Sequence, residues 1–335
     1  MINMDLVETL KKVKDASRKL VLFDDQSIGE TLKKLADVLE ARSGDILKAN
    51  SEDLSHIEES DSIYDRILLD EGRITAIADG VREISDTESP IDKIIDEKTL
   101  ENGLELKKVR TPLGVIGVIF EARPNVVIDI FALCFKSKNC CVLKGGSQSE
   151  KSNEVLVEII ESVLENKNII ELLPNDRAVV GEFLKMDKYV DVIVPRGGKG
   201  LIDFVRTTSL IPVIETGAGV VHTYFDKDGD TNMGAEIIFN AKTDRPSVCN
   251  ALDTLIVHSS RISDLPVLCK KLGEADVQIR ADELSFNALE GYENLTSASD
   301  DDFGNEYLGL AMSIKVVDSL EEAVYHINSY CSGHC

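Results

Sequence analysis

The chain has no run of 18 uncharged apolar residues, so nothing in it reads as a transmembrane helix. Its first twenty residues, "MINMDLVETLKKVKDASRKL", carry charge throughout and lack the apolar core of a secretory signal. Positive charge is scarce. The 37 basic residues face 60 acidic ones, for a formal net charge of −23. No basic block offsets that field, which repels a phosphate backbone and argues against nucleic acid as a partner. An anionic substrate would need its own local cations. An even cysteine count is also missing: seven cysteines do not close into a disulfide framework, and in a cytoplasmic chain, the location expected here, they are reduced thiols. Neither G-x-G-x-x-G nor a P-loop occurs, and no internal repeat or low-complexity segment stands out.

What is present suits a soluble α/β protein. The 335 residues are 43% hydrophobic and 29% charged, enough for two domains at about 100–200 residues each. The first 55 residues read as two amphipathic helices. Leu6, Leu10, Val13, Ala16 and Leu20 recur at helical spacing, and a second stripe of Ile28, Leu32, Leu35, Ala36 and Leu39 follows. Ser27 and Glu30 form a capping-box pattern at its start, and Ser43-Gly44 marks its stop. From residue 105 the period changes. Strands "GVIGVIF", "CCVLK", "VDVIVP" and "IPVIE" alternate with helices at 125–137, 149–164 and 198–207, the signature of a doubly wound parallel sheet. A second α/β run follows: strand "VVHTYFD", helix "NMGAEIIFNAKT", strand "ALDTLIVH", a helix at 265–272, strand "MSIKVV" and a helix at 320–328. A boundary at Ile211-Pro212 gives domains 1–211 and 212–335.

Two glycine-rich turns follow strands. Lys144, Gly145, Gly146 and Ser147 lead into one helix, and Arg196, Gly197, Gly198 and Lys199 into another. Glycine lets backbone N–H groups approach an anion, and a helix N-terminus favours negative charge, so both are candidate phosphate turns at the carboxyl ends of parallel strands. A plain strand-to-helix turn reads equally well. Among the cysteines, Cys134, Cys140, Cys141 and Cys269 sit in apolar contexts and read as packing residues. Cys249 instead follows "TDRPSV", near Arg245, and a neighbouring cation favours the thiolate that does the attacking. His222, His258 and His326 read as hydrogen-bonded structural histidines, and no Cys–His pairing of papain type is evident. The terminal Cys331, His334 and Cys335 lack a fourth ligand for zinc, so no metal is expected.

In order along the chain, "TPLGVIGVIFEARPNVVID", "VLKGGSQSEKSN", "VIVPRGGKGL", "IPVIETGAGVVHTYFD", "DRPSVCNALDTLIVH" and "EYLGLAMSIKVV" resemble the γ-glutamyl phosphate reductases (glutamate-5-semialdehyde dehydrogenases) of the aldehyde dehydrogenase superfamily. The resemblance implies an N-terminal NADP-binding domain and a second α/β domain that supplies the nucleophile, Cys249. It matches Glu215 to the superfamily's general-base glutamate and Lys144 to the lysine that meets the adenosine ribose. Glu306 is similar to the glutamate that holds the nicotinamide ribose, and Asn125 to the oxyanion-hole asparagine. Ser147 stands where NAD-preferring relatives often carry a glutamate, which favours NADP(H) because no carboxylate repels a 2′-phosphate. Arg245, Arg196 and Arg123 are candidate cations for the substrate's carboxylate and phosphate.

The implied reaction is NADPH-dependent reduction of glutamyl 5-phosphate to glutamate 5-semialdehyde through a Cys249 thioester, in proline biosynthesis. Members of this family form homo-oligomers and continue well beyond "SGH", so a chain ending at Cys335 is expected to have an incomplete catalytic domain and impaired activity. Two other readings stay open: a hydrolytic aldehyde dehydrogenase, and a non-catalytic nucleotide-binding remnant.

Overall fold

The protein is described from a computed structural model covering residues 2–58, 61, 63–215, 219–331 and 333. It divides into two compact units, Met1–Glu215 and Thr216–Cys335. Among the described residues, no helix is long and apolar enough to cross a membrane.

Unit 1 opens with helices α1 (Ile2–Leu20), α2 (Asp25–Ala41), α3 (Ser43–Leu54), α4 (Tyr64–Ile67) and α5 (Glu71–Asp86). The first 55 residues thus hold three helices where two are expected. Ser43-Gly44 starts α3 instead of ending α2, because the break falls at Arg42 (φ −104°, ψ 19°). A glycine in a first turn forfeits little, since the N–H groups there have no intrahelical partner anyway. The cap of α2 also differs from the expected Ser27: the Asp24 carboxylate accepts from the Ser27 N–H at 2.7 Å. A carboxylate at that end also meets the positive pole of the helix.

An antiparallel ribbon, β1 (Ile94–Thr99) and β2 (Glu105–Val109), is exposed along both strands. The parallel sheet follows, with β3 (Val115–Phe120), α6 (Asn125–Lys136), β4 (Cys140–Lys144), α7 (Glu150–Val163), β5 (Ile170–Leu172), α8 (Arg177–Phe183), β6 (Val192–Arg196) and α9 (Lys199–Thr208). Its order is β5-β4-β3-β6, with every pairing parallel. The chain steps outward from β3 through β4 to β5, then returns to lay β6 on the other side of β3. That reversal puts a crevice at the carboxyl ends of β3 and β6, where open parallel sheets bind ligands. The expected strand "IPVIE" shrinks to one bridge, Val213 to Ile193. Pro212 has no N–H to give a ladder. The core packs Leu10, Leu20, Ile28, Leu32 and Leu35 from the helices with Val118, Phe131, Phe135 and Leu143, all essentially without exposure.

Unit 2 runs β7 (Val221–Phe225), α10 (Thr231–Thr243), β8 (Leu252–His258), α11 (Leu265–Leu268), α12 (Lys270–Glu274), β9 (Gln278–Ala281), α13 (Glu283–Ala288), β10 (Leu295–Ser297), β11 (Ala311–Val317) and α14 (Leu320–Tyr330). The single helix expected at 265–272 is two, broken at Cys269. The sheet order is β10-β9-β11-β8-β7, again all parallel. Its core centres on Leu252, Leu255, Val257, Leu268, Ile279 and Ile314. Strands β11, β8 and β7 are neighbours, so the segments entering them meet along one edge.

His258 is hydrogen-bonded as expected, with Nδ1 2.8 Å from Ser260 Oγ. His222 has a hydrogen bond with the Val220 backbone, but its Nε2 and that of His326 are buried and without a hydrogen-bond partner among the described residues. Their rings meet edge to face at 5.7 Å, and Phe303 lies against His326 at 5.2 Å. Aromatic neighbours leave little that can accept a hydrogen bond. Burial, reinforced by His222 and Lys315 against the opposing Asp282, pushes the His326 pKa down to about 4. A histidine held neutral in this way stabilises the fold above its unfolded pKa of about 6.5, and that stability is lost as pH falls toward the folded value. Thermal unfolding at pH 7 and pH 5 should show His326→Phe losing about 2 kcal/mol less than the parent over that interval. Equal losses would show that His326 does not set the acid sensitivity.

Candidate active site

In unit 1 the candidate residues gather at the carboxyl edge of the sheet. Lys144 ends β4, and its Nζ donates to Gly145 O (2.7 Å) and Asn175 Oδ1 (2.8 Å). A Cβ on Gly145 would lie 2.3 Å from Asn153 Nδ2, so this turn has no room for a side chain. Ser147 is exposed and begins a short 3-10 turn. The start of α7 is already supplied with negative charge. The Asp53 carboxylate accepts from Lys151 N (3.0 Å), Ser152 N (2.8 Å) and Ser152 Oγ (2.6 Å). A cavity of about 620 Å³ beside Ser147 and Gln148 is lined by Asp53, His56, Glu58 and Asp61. Acidic groups are therefore near Ser147, although they come from other segments.

The second turn lies at the crevice. Arg196, exposed at the end of β6, accepts the Glu121 N–H through its carbonyl at 3.0 Å. Glu121 reaches back across the turn: its Oε2 accepts from Gly198 N at 3.0 Å, and a Cβ on Gly197 would lie 2.5 Å from the same oxygen. The turn is a glycine-lined cradle whose N–H already takes an anionic oxygen. Sequence reasoning missed Glu121, because its place at the reversal of strand order shows only in the folded sheet. Ala122 follows with φ 43°, a left-handed conformation that alanine rarely adopts. Arg123 is exposed. Asn125 opens α6, and its Nδ2 donates to Asp129 Oδ2 at 2.9 Å. Burial raises the Asp129 pKa, with that bond opposing. Glu215 lies 3.7 Å from Arg206 Nε, a loose ion pair.

In unit 2, Cys249 is exposed in the loop between α10 and β8, whereas Cys269 of that unit and Cys134, Cys140 and Cys141 of unit 1 are buried, as the sequence suggests. Burial pushes the Cys140 and Cys269 thiols up to about 12. Cys141 is raised by a hydrogen bond with Cys134 and then by burial. Arg245 is exposed, and its carbonyl accepts from Val248 N at 3.3 Å. Glu306 Oε1 accepts from Gly219 N at 3.0 Å. The Asp253 carboxylate accepts from Val221 N (3.2 Å) and Tyr307 N (3.0 Å). Cys249 and Glu306 thus belong to neighbouring segments that enter β8 and β11 at the amino-terminal edge of this sheet. Of the tail residues, Cys331 is half-buried, and His334 and Cys335 lie outside the described residues.

Two parallel-sheet α/β units, one with a glycine turn at its switch point and one with an exposed cysteine loop, fit a dehydrogenase class. Residues 4–282 match the Aldehyde dehydrogenase family. The chain belongs to that family, within the group whose members are named gamma-glutamyl phosphate reductase. It is 52% identical to the gamma-glutamyl phosphate reductase of Chlorobaculum parvum, over 98% of this chain and 80% of that protein. Identity to the Bacteroides thetaiotaomicron protein of the same name is 47%, over 97% and 80%. The crystal structure of the Thermotoga maritima gamma-glutamyl phosphate reductase superposes with a TM-score of 0.90 at 35% identity, covering 97% of this chain and 80% of that one.

Proposed function

We propose that the protein reduces L-glutamyl 5-phosphate to L-glutamate 5-semialdehyde and phosphate, with Cys249 as the nucleophile and NADPH as the reductant. The observation that carries this reading is the exposed Cys249 thiol at the head of β8, in a chain 52% identical to a gamma-glutamyl phosphate reductase. The Cys249 sulfur attacks the acyl-phosphate carbonyl, a C–S bond forms, and the C–O bond to phosphate breaks. A dinucleotide held by unit 1 would supply the hydride needed to reduce the thioester. Collapse of the resulting thiohemiacetal releases the aldehyde and returns the thiolate.

Developing charge on the carbonyl oxygen needs a pre-set donor. Asn125 is the candidate: its amide carries two N–H bonds, and one goes to Asp129. The dinucleotide is assigned to unit 1. Its fit there rests on the Gly197-Gly198 cradle, whose Gly198 N–H already donates to an anionic oxygen. Lys144, Gly145, Gly146 and Ser147 are assigned to its adenosine end, and Arg196 to its phosphates. Ser147 puts no carboxylate of its own against a 2′-phosphate, which supports NADP(H). Glu306, anchored through Gly219 N, is assigned to the nicotinamide ribose. Arg123 and Arg245, both exposed cations in a strongly acidic chain, are assigned to the substrate's carboxylate and phosphate. Glu215 serves as an orienting group, because the acyl group leaves to phosphate and no water has to be activated.

The test is NADP⁺ reduction by glutamate 5-semialdehyde with and without inorganic phosphate. Turnover that requires phosphate is expected. Turnover independent of phosphate would make the protein a hydrolytic aldehyde dehydrogenase. Dinucleotide binding without turnover would reduce it to a binding protein.

A further inference from the structure

Lys242, in the last turn of α10, and Asp253, the second residue of β8, are charged groups that the proposed chemistry leaves unused. Their side chains are 0% and 3% exposed, with Nζ 4.0 Å from Oδ1. Burial lowers the lysine's pKa and raises that of the aspartate, and each partner's charge opposes the shift. Buried ion pairs add little stability over apolar residues of equal size, so the pair calls for a reason other than stability.

The contacts supply one. Lys242 Nζ donates to Leu252 O at 2.7 Å, and Leu252 lies three residues beyond Cys249. One ammonium therefore ties together the two ends of the cysteine loop, where α10 stops and β8 starts. Asp253 extends the tie. Its carboxylate takes Val221 N (3.2 Å) on one side and Tyr307 N (3.0 Å) on the other. Tyr307 follows Glu306, whose own carboxylate holds Gly219 N at 3.0 Å. Three segments that enter β7, β8 and β11 are thus drawn onto one buried charge pair.

We propose that Lys242 is a positioning residue for Cys249, pinning the base of its loop and, through Asp253, fixing that loop against the Glu306 segment. This rests on the reading of Cys249 as the nucleophile. A methionine fills similar space but cannot hold the Leu252 carbonyl, and it leaves Asp253 as an unmatched buried charge.

The test compares Lys242→Met, Asp253→Asn and the double variant in the full chain. The readouts are the thermal midpoint, the rate of Cys249 carbamidomethylation by iodoacetamide followed by peptide mass spectrometry, and kcat and KM. Lys242→Met alone should lower the midpoint. The double variant carries no buried charge and should regain a midpoint near the parent's. Its Cys249 alkylation rate should still differ by about threefold or more, and its kcat should fall about tenfold at unchanged KM for NADPH. A double variant with parental midpoint, alkylation rate and kcat would overturn the proposal, because the pair would then be structural only. Should both lysine variants fail to fold, Asp253→Asn decides. It keeps the shape and one acceptor oxygen, and parental alkylation and kcat in it would equally overturn the proposal. A Cys249→Ala protein that still turned over would sink only the nucleophile reading, since the alkylation rate reports the loop's position either way.

Discussion

Cys249→Ala is expected to lower phosphate-dependent NADP⁺ reduction by on the order of 10³-fold or more in kcat, with dinucleotide affinity unchanged. The effect is large because no other described thiol shares the loop at the head of β8: Cys331 follows α14, and the remaining four are buried. Cys134, Cys140, Cys141 and Cys269 are buried in the two cores. Burial, for Cys141 after its bond with Cys134, raises the thiols of Cys140, Cys141 and Cys269 out of the range where a thiolate is populated at neutral pH. The cost to the fold should be small. Cys249 is exposed, so truncation opens no cavity, and surface changes of this kind usually stay within about 0.5 kcal/mol. Steady-state kinetics, a dinucleotide titration and a thermal melt separate these effects. A Cys249→Ala protein with loss of both turnover and folding would leave the chemical role unsupported.

Gly197→Val is expected to weaken dinucleotide binding by about tenfold or more, roughly 1.4 kcal/mol or above. The Cβ of the new side chain would sit 2.5 Å from Glu121 Oε2 and 2.7 Å from Leu201 Cδ2, closer than real Cβ atoms come to anything. Glu121 has to leave the Gly198 N–H, and the cradle fills with methyl groups where an anion would lie. Gly197 itself is exposed and outside both strand ladder and core, so the melt should move little. Isothermal titration with NADPH on parent and variant measures this. Unchanged affinity would remove the β6–α9 turn from the cofactor site.

Much of the fold could be read from the sequence because parallel sheets covered on both faces need nearly continuous apolar strands. Such strands at 115–120, 140–144, 192–196, 252–258 and 311–317 all appear. The failures have local causes. Proline at 212 cut a strand to a single bridge, and Asp24 outcompeted Ser27 as a cap because a carboxylate brings charge as well as a lone pair. The ribbon strand β1 reads "IIDEKT", exposed throughout, and has no burial to imprint a period.

The candidate site divides the same way. The Cys249 loop was marked by an exposed polar context in an otherwise apolar set of cysteines. Glu121, Asp253 and Lys242 carried no such mark. Their roles come from contacts across 77 residues for Glu121 with Gly198 and 54 for Asp253 with Tyr307. Lys242 looks like any basic residue at a helix end until burial shows it has 0% exposure. Spacing along one chain does not reveal contacts that only the folded sheet brings about.

The proposed chemistry requires a covalent acyl group on Cys249. Incubating the protein with glutamate 5-semialdehyde and NADP⁺ in phosphate-free buffer removes the second substrate and should leave the thioester in place. Acid quenching and peptide mass spectrometry should then find one glutamyl adduct on the Cys249 peptide, which disappears when phosphate is added before the quench. An adduct on another residue, or NADPH formed in a phosphate-independent steady state with no adduct, would show that Cys249 does not carry the acyl group.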